Sequence, residues 1–201
     1  SDTHNNTHDA IMPEIPTDMT SVLIHAGDFS FMGKPTEIQD FIAWMSDQPH
    51  DHKLWIPGNH ELSLEDFPYN IEVIDNESGA TCIHNKEIEI NGIKIFGSSM
   101  TPAFMQSKTQ AERYWRNAPD KVDLLITHGP PRGILDENRE GEPCGCPSLL
   151  SYVERVKPKV HCFGHIHESY GSYTNEDTLF YNVSTMNRDY EIANDPVVIE
   201  W

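Results

Sequence analysis

Five short blocks of the chain carry side chains that bind metal ions: Asp2-Thr3-His4, Gly27-Asp28, Gly58-Asn59-His60-Glu61, His128-Gly129 and Gly164-His165-Ile166-His167. Together they offer carboxylates, imidazoles and one amide, with no cysteine among them. Mixed oxygen and nitrogen donors suit manganese, iron, zinc or magnesium better than a thiol-seeking ion. Asp2, His4, Asp28, Asn59, His128, His165 and His167 are therefore the candidate metal ligands. Two metals about 3.5–4 Å apart need a bridging ligand, and a carboxylate with two oxygens serves. Asp28 is the natural candidate. Such a pair can activate a water for attack on an electrophile. Taken singly each block means little: a lone Gly-Asp is a turn, and a lone histidine at a strand end is ordinarily structural. Their order and their placement carry the weight.

All but the first block follow a stretch that reads as a buried strand. Val22 to Ala26 leads to Gly27-Asp28, and Lys53 to Ile56 leads to Gly58-Asn59-His60. Val122 to Thr127 leads to His128, and Val160 to Phe163 leads to Gly164-His165-Ile166-His167. In open α/β sheets, ligands bind outside the carboxyl ends of the strands, so these residues should gather on one rim. Only Ser1 precedes Asp2 and His4, so with Ser1 as the true start of the chain the strand that should deliver them is expected to be missing. These two are expected to sit on a loose terminus.

Helical patterns alternate with the strands, which predicts an α/β layered fold over a single domain, residues 1–201. Thr36 and Gln39 read as a capping box for a helix whose apolar face is Ile38, Phe41, Ile42 and Met45. Thr109 and Glu112 read as a second, for a helix that stops near Pro119. Pro147 suits the first turn of a helix burying Leu149, Leu150, Val153 and Val156. From Ile71 to Ser98 the periodicity turns towards strand alternation, with Asn91-Gly92 as a type I′ hairpin turn. Thr178 to Ser184 and Val197 to Trp201 read as closing strands.

The net charge is −18, from 32 acidic and 14 basic residues, a field that repels a phosphate backbone. A nucleic-acid polymer is thereby disfavoured as a partner, whereas a small anion remains accessible if metal ions supply local positive charge. No apolar run approaches a membrane span, so no membrane partner is expected. The four cysteines, Cys82, Cys144, Cys146 and Cys162, lack the pairing of a structural zinc site and read as reduced thiols of a cytoplasmic protein.

The five blocks resemble the signature motifs of the calcineurin-like metallophosphoesterases. The longer strings Ile24-His25-Ala26-Gly27-Asp28, Thr127-His128-Gly129-Pro130-Pro131 and Phe163-Gly164-His165-Ile166-His167-Glu168 are most similar to the metallophosphoesterase-domain-containing branch. The resemblance covers nearly the whole chain. It implies a four-layer α/β/β/α sandwich, here with its first strand missing or truncated, and a dinuclear centre. It also implies that Asp2, His4 and His167 hold one metal, that Asn59, His128 and His165 hold the other, and that Asp28 bridges them. His60 would lie beside the centre as proton donor. One departure matters. After Gly27-Asp28 the chain reads Phe29-Ser30-Phe31-Met32-Gly33, where the Ser/Thr protein phosphatases of this superfamily carry an Asp-Arg pair, and that disfavours a phosphoprotein substrate.

The function expected from this resemblance is hydrolysis of small, nucleotide-like phosphodiesters. Two cations sharing a water lower its pKa from about 15.7 towards neutrality, and the resulting hydroxide attacks phosphorus. Histidine is the residue type able to give up a proton near neutral pH, and His60 can protonate the leaving oxygen. Two divalent ions are expected, manganese first, with iron, zinc or magnesium as alternatives. A phosphomonoesterase and a catalytically silent scaffold are the competing readings. Substrate choice is assigned to two loops, Thr101 to Gln106 and Arg132 to Cys146.

Overall fold

The computed structural model describes residues 1–61, 68–100 and 107–201; the expected specificity segment Thr101 to Gln106 lies outside them. In chain order the described elements are β1 (Val22–His25), α1 (Pro35–Asp47), β2 (His52–Trp55), α2 (Pro68–Ser78), β3 (Thr81–Cys82), β4 (Lys86–Ile90) and β5 (Ile93–Ser98). Then follow α3 (Lys108–Asn117), β6 (Leu124–Thr127), α4 (Pro147–Val156), β7 (Val160–Phe163), β8 (Gly171–Thr174) and β9 (Leu179–Asn182). One sheet has the order β1-β2-β3, all parallel. The other has the order β4-β5-β6-β7-β9-β8, with a parallel centre and the antiparallel strands β4 and β8 on its edges.

Strand alternation explains the layering. Ala26, Leu54, Ile56 and Ile83 from the first sheet pack in one cluster with Ile95, Leu124, Ile126, Val160 and Cys162 from the second. The two sheets therefore meet face to face. The opposite faces are covered by helices. Phe41, Trp44 and Met45 of α1 and Ile74 of α2 pack on Trp55 and Cys82, while Trp115 of α3 and Leu149, Tyr152 and Val153 of α4 pack on Phe96, Leu125, Phe163 and Phe180. This is the four-layer α/β/β/α sandwich. Because β6 and β7 are buried on both faces, truncating Leu125 or Ile126 to alanine costs about 2–5 kcal/mol.

Four local expectations are corrected. The first helix is opened not by Thr36 and Gln39 but by Pro35 at its first position and Glu37 at its third, whose Oε2 accepts from the backbone N–H groups of Met32 (2.9 Å) and Lys34 (3.0 Å). In α3 the box is Ser107 with Gln110, two residues before the expected pair: Gln110 N donates to Ser107 Oγ (3.3 Å) and Ser107 N to Gln110 Oε1 (2.9 Å). The stretch beginning at Ile71 is helix α2, not strand. Ile71 and Ile74, three apart, face the core, while Val73 is exposed; the Ile71-Val73 spacing of two only mimics a strand. Residues 197–201 pair with no described strand; Val198 is exposed and Trp201 lies under the Lys159 ammonium, 5.2 Å from its ring centre. The Asn91-Gly92 hairpin does form, with Ile90 opposite Ile93 and positive φ at both turn residues, +50° and +82°.

Candidate metal centre

The carboxyl ends of β1, β2, β6 and β7 converge, and the first five residues are laced between them. Asp2 N donates to Gly27 O (2.9 Å), His4 N to Asp28 O (3.1 Å) and Asn5 N to Phe29 O (2.8 Å). On the other side Thr185 N donates to Ser1 O (3.0 Å) and Thr185 Oγ1 to Asp2 O (3.2 Å). Asp2 and His4 are buried. The expectation of a loose terminus is thus corrected: backbone hydrogen bonds to the loops after β1 and β9 hold these residues in place.

Three groups have ligand atoms mutually within 4.8 Å: Asp2, His4 and His167; His4, Asp28 and His60; and Asp28, His128 and His165. Asn59 joins the last of these, its Oδ1 lying 2.9 Å from His128 Nε2. Every residue singled out in the sequence for this centre is therefore on one rim, with Asp28 and His4 in the middle. His25 and His161, buried elsewhere in the helix-facing layers, take no part.

The imidazoles are aimed by their backs. Nδ1 of His4 donates to Ser30 O (3.0 Å), that of His128 to Ala26 O (2.9 Å), that of His167 to Asn187 O (3.2 Å) and that of His60 to Phe31 O (2.6 Å). Each bond leaves Nε2 facing the centre, the orientation that metal-ligating histidines take from backbone carbonyls. His4 Nε2 is buried and has no hydrogen-bond partner among the described residues. His128 Nε2 faces two acceptors, Asn59 Oδ1 at 2.9 Å and Asp28 Oδ2 at 3.1 Å. An orphaned buried lone pair beside converging acceptors suits a cation and does not suit a neutral core.

The electrostatics agree. Burial raises the Asp2 and Asp28 carboxyls, but hydrogen bonds and charge from His167 and His128 outweigh it and hold both below the ordinary range. Burial lowers His128, yet the charge and hydrogen bond of Asp28 push it up to about 9, a proton standing where a cation would otherwise sit. Burial and the His128 charge lower His165 to about 4, and burial lowers His4, so both present neutral nitrogens.

The backbone here is strained. Asp2, His4, Asp28 and His165 all have positive φ, 55°, 38°, 55° and 70°, which non-glycine residues seldom adopt and which concentrates at functional sites. The close packing also requires glycine. A Cβ on Gly58 would fall on Asp28 Oδ1, and one on Gly164 on Asp2 Oδ2.

Sequence reasoning missed Glu61, the last residue of the Gly-Asn-His-Glu block. It is fully buried and accepts from the backbone N–H groups of Gly58 (2.7 Å), Asp28 (2.9 Å) and Ser30 (2.8 Å) and from the Ser30 hydroxyl (2.6 Å). Burial and the Asp28 charge push its carboxyl up to about 7, against the pull of these bonds. The signal was its place in the block; what hid it was that its partners are main-chain groups. Asn187, which orients His167, also escaped, being outside every block.

The calcineurin-like phosphoesterase profile matches residues 1–169. The chain belongs to the calcineurin-like phosphoesterase family. Metallophosphoesterase domain-containing protein 1 of Homo sapiens is 36% identical over 231 residues, covering 100% of this chain and 69% of that protein. UPF0046 protein K07C11.7 of Caenorhabditis elegans is 36% identical over 215 residues, covering 98% and 72%. Among solved structures, one superposes with a TM-score of 0.61 at 15% identity over 74% of this chain and 63% of the other. TT1561 of Thermus thermophilus superposes with 0.54 at 10% identity over 87% and 84%. These two likenesses concern the fold alone. Family membership makes the chain a metal-dependent hydrolase of phosphoric esters. No helix among the described residues is long and apolar enough to cross a membrane.

Proposed function

We propose that this phosphoesterase is a phosphodiesterase for small, nucleotide-like substrates, working with two divalent ions, manganese foremost. The observation that carries the reading is a continuous run of ligand groups: Asp2, His4 and His167 on one side, linked through His4 to Asp28, and Asp28 with His128, His165 and Asn59 on the other. The first group would hold one ion and the second the other, with Asp28 available to both. Ions bound there supply an activated water and neutralise phosphoryl charge.

The protein's own groups do the rest. His60 is held through Nδ1 by Phe31 O, so its Nε2 is the end that can hand a proton to the leaving oxygen. Its ring lies 4.6 Å from that of His4, at the edge of the centre. Nδ1 bonds to main-chain oxygens keep His4, His128 and His167 from turning away. The preference for a diester follows from charge. A diester brings one negative charge where a monoester brings about 1.5 to 2. In a chain of net charge −18 the weaker anion is the easier one to admit. Free Cys82, Cys144, Cys146 and Cys162 are in keeping with a cytoplasmic setting.

The test is hydrolysis of bis(p-nitrophenyl) phosphate against p-nitrophenyl phosphate with manganese added. The diester should be the better substrate. A rate confined to the monoester overturns the diesterase assignment, and fewer than two manganese ions per chain after loading overturns the shared-ligand arrangement.

A further inference from the structure

Beside the centre stand two large aromatic side chains that the chemistry above does not use. Phe31 is 46% exposed and Tyr190 is 51% exposed, although both touch buried histidines. The Tyr190 ring lies 5.3 Å from His4 and 4.9 Å from His167; the Phe31 ring lies 5.8 Å from His4 and 5.7 Å from His60. The two rings meet edge to face, 6.0 Å apart at 69°. They form a corner over the His4 side, next to the residue assigned to protonate the leaving oxygen.

Tyr190 is held there in a strained backbone conformation, and Phe31 is braced by a hydrogen bond. Tyr190 has φ +61°, a left-handed conformation that a bulky side chain rarely adopts. The turn is built around Asn187, whose Oδ1 accepts from Asp189 N (2.9 Å) and Glu191 N (3.1 Å) and whose carbonyl accepts from Tyr190 N (3.1 Å) and from His167 Nδ1 (3.2 Å). The same residue thus orients a candidate ligand and presents the exposed ring. Phe31 is pinned through its carbonyl to His60. A strained, braced conformation that exposes an aromatic ring at a site points to function.

We infer that Phe31 and Tyr190 determine specificity, selecting esters that carry a planar ring by stacking it in the corner they form; the inference rests on the phosphodiesterase reading for its substrate. Stacking uses no cationic side chain, which suits a strongly acidic protein, and tolerates any planar ring because every such ring has a π-face.

The test is calorimetric titration of the manganese-loaded full chain with adenosine 5′-monophosphate and with ribose 5-phosphate, which carries a hydroxyl in place of the planar base. The nucleotide should bind tighter by between about fivefold and a hundredfold, the range for one stacked base. Phe31→Leu, which keeps bulk without a π-face, and Tyr190→Asn, which keeps a residue suited to the left-handed turn, should each shrink that ratio at least threefold. Affinity for ribose 5-phosphate should move less than twofold in both. Equal binding of the two probes by the unaltered protein overturns the inference, as does a ratio that survives both substitutions. If the ratio and its loss appear but bis(p-nitrophenyl) phosphate is not hydrolysed, the corner stands and the phosphodiesterase reading falls. If hydrolysis runs and the ratio is one, the corner falls alone.

Discussion

Glu61 clips the loop after β1 to the loop after β2, and its removal should loosen both halves of the centre at once. Oε1 takes the Ser30 N–H and hydroxyl; Oε2 takes the Asp28 and Gly58 N–H groups. In Glu61→Gln one oxygen becomes an NH₂ group. Placed towards Ser30, it can donate to a reoriented hydroxyl, leaving the Ser30 N–H orphaned. One buried donor without a partner costs about 1–3 kcal/mol. In Glu61→Ala the N–H groups of Asp28, Ser30 and Gly58 all lose their acceptor, which sums to roughly 3–9 kcal/mol, comparable with the whole stability of a domain at about 5–15. Urea unfolding should therefore show a lowered midpoint with unchanged slope for Glu61→Gln and little folded protein for Glu61→Ala. Manganese titration of Glu61→Gln should show affinity reduced about 10- to 100-fold, as when groups behind metal ligands are lost. If Glu61→Gln unfolds within about 0.5 kcal/mol of the parent and binds manganese equally well, the clip contributes nothing and the reasoning fails.

Three further predictions use other parts of the molecule. Gly58→Ala puts a Cβ on Asp28 Oδ1 and 2.7 Å from His128 Cε1, so manganese affinity measured by calorimetry should drop at least tenfold. His128 is raised to about 9 from an ordinary value of 6.5, so its contribution to the stability of the metal-free protein is full below about pH 6.5 and is lost as pH rises through about 9, about 3 kcal/mol in all. Thermal melts of chelator-treated protein across that window should show the fall, and His128→Gln should flatten it. Asn91→Ala places alanine at φ +50° in the hairpin turn and should cost about 1 kcal/mol, a loss of about 2–4 °C in Tm, with hydrolysis unaltered.

What could be read from the chain and what could not divide along a physical line. The buried strands were legible because β6 and β7 are buried on both faces, and a largely apolar run followed by a polar ligand beside a glycine admits few other readings. The candidate ligands were legible from their place, since Asp28, Asn59, His128, His165 and His167 each follow the end of a predicted strand. Helix starts were missed by one or two residues because several Ser, Thr, Glu and Gln side chains compete for the same role, and Glu37 and Ser107 won through hydrogen bonds that depend on the incoming loop. Helix α2 was hidden by the chance spacing of Ile71 and Val73, which only the buried position of Ile74 resolves.

The case of Asp2 and His4 shows what pattern alone lacks. Their block carries no strand periodicity of its own, so pattern alone could not show what holds them. What holds them is a set of main-chain hydrogen bonds to Gly27, Asp28, Phe29 and Thr185, groups present in every residue and therefore carrying no signature in the residue names. The same holds for Glu61 and Asn187, whose polar atoms answer backbone N–H groups or a histidine Nδ1. The candidate ligands of this centre are recognisable by chemical type, while the scaffold that aims them is written in backbone geometry, including the positive φ of Asp2, His4, Asp28 and His165. Substitutions that spare every ligand, at Gly58, Glu61 or Asn187, should therefore cost the centre as much as the loss of a ligand itself.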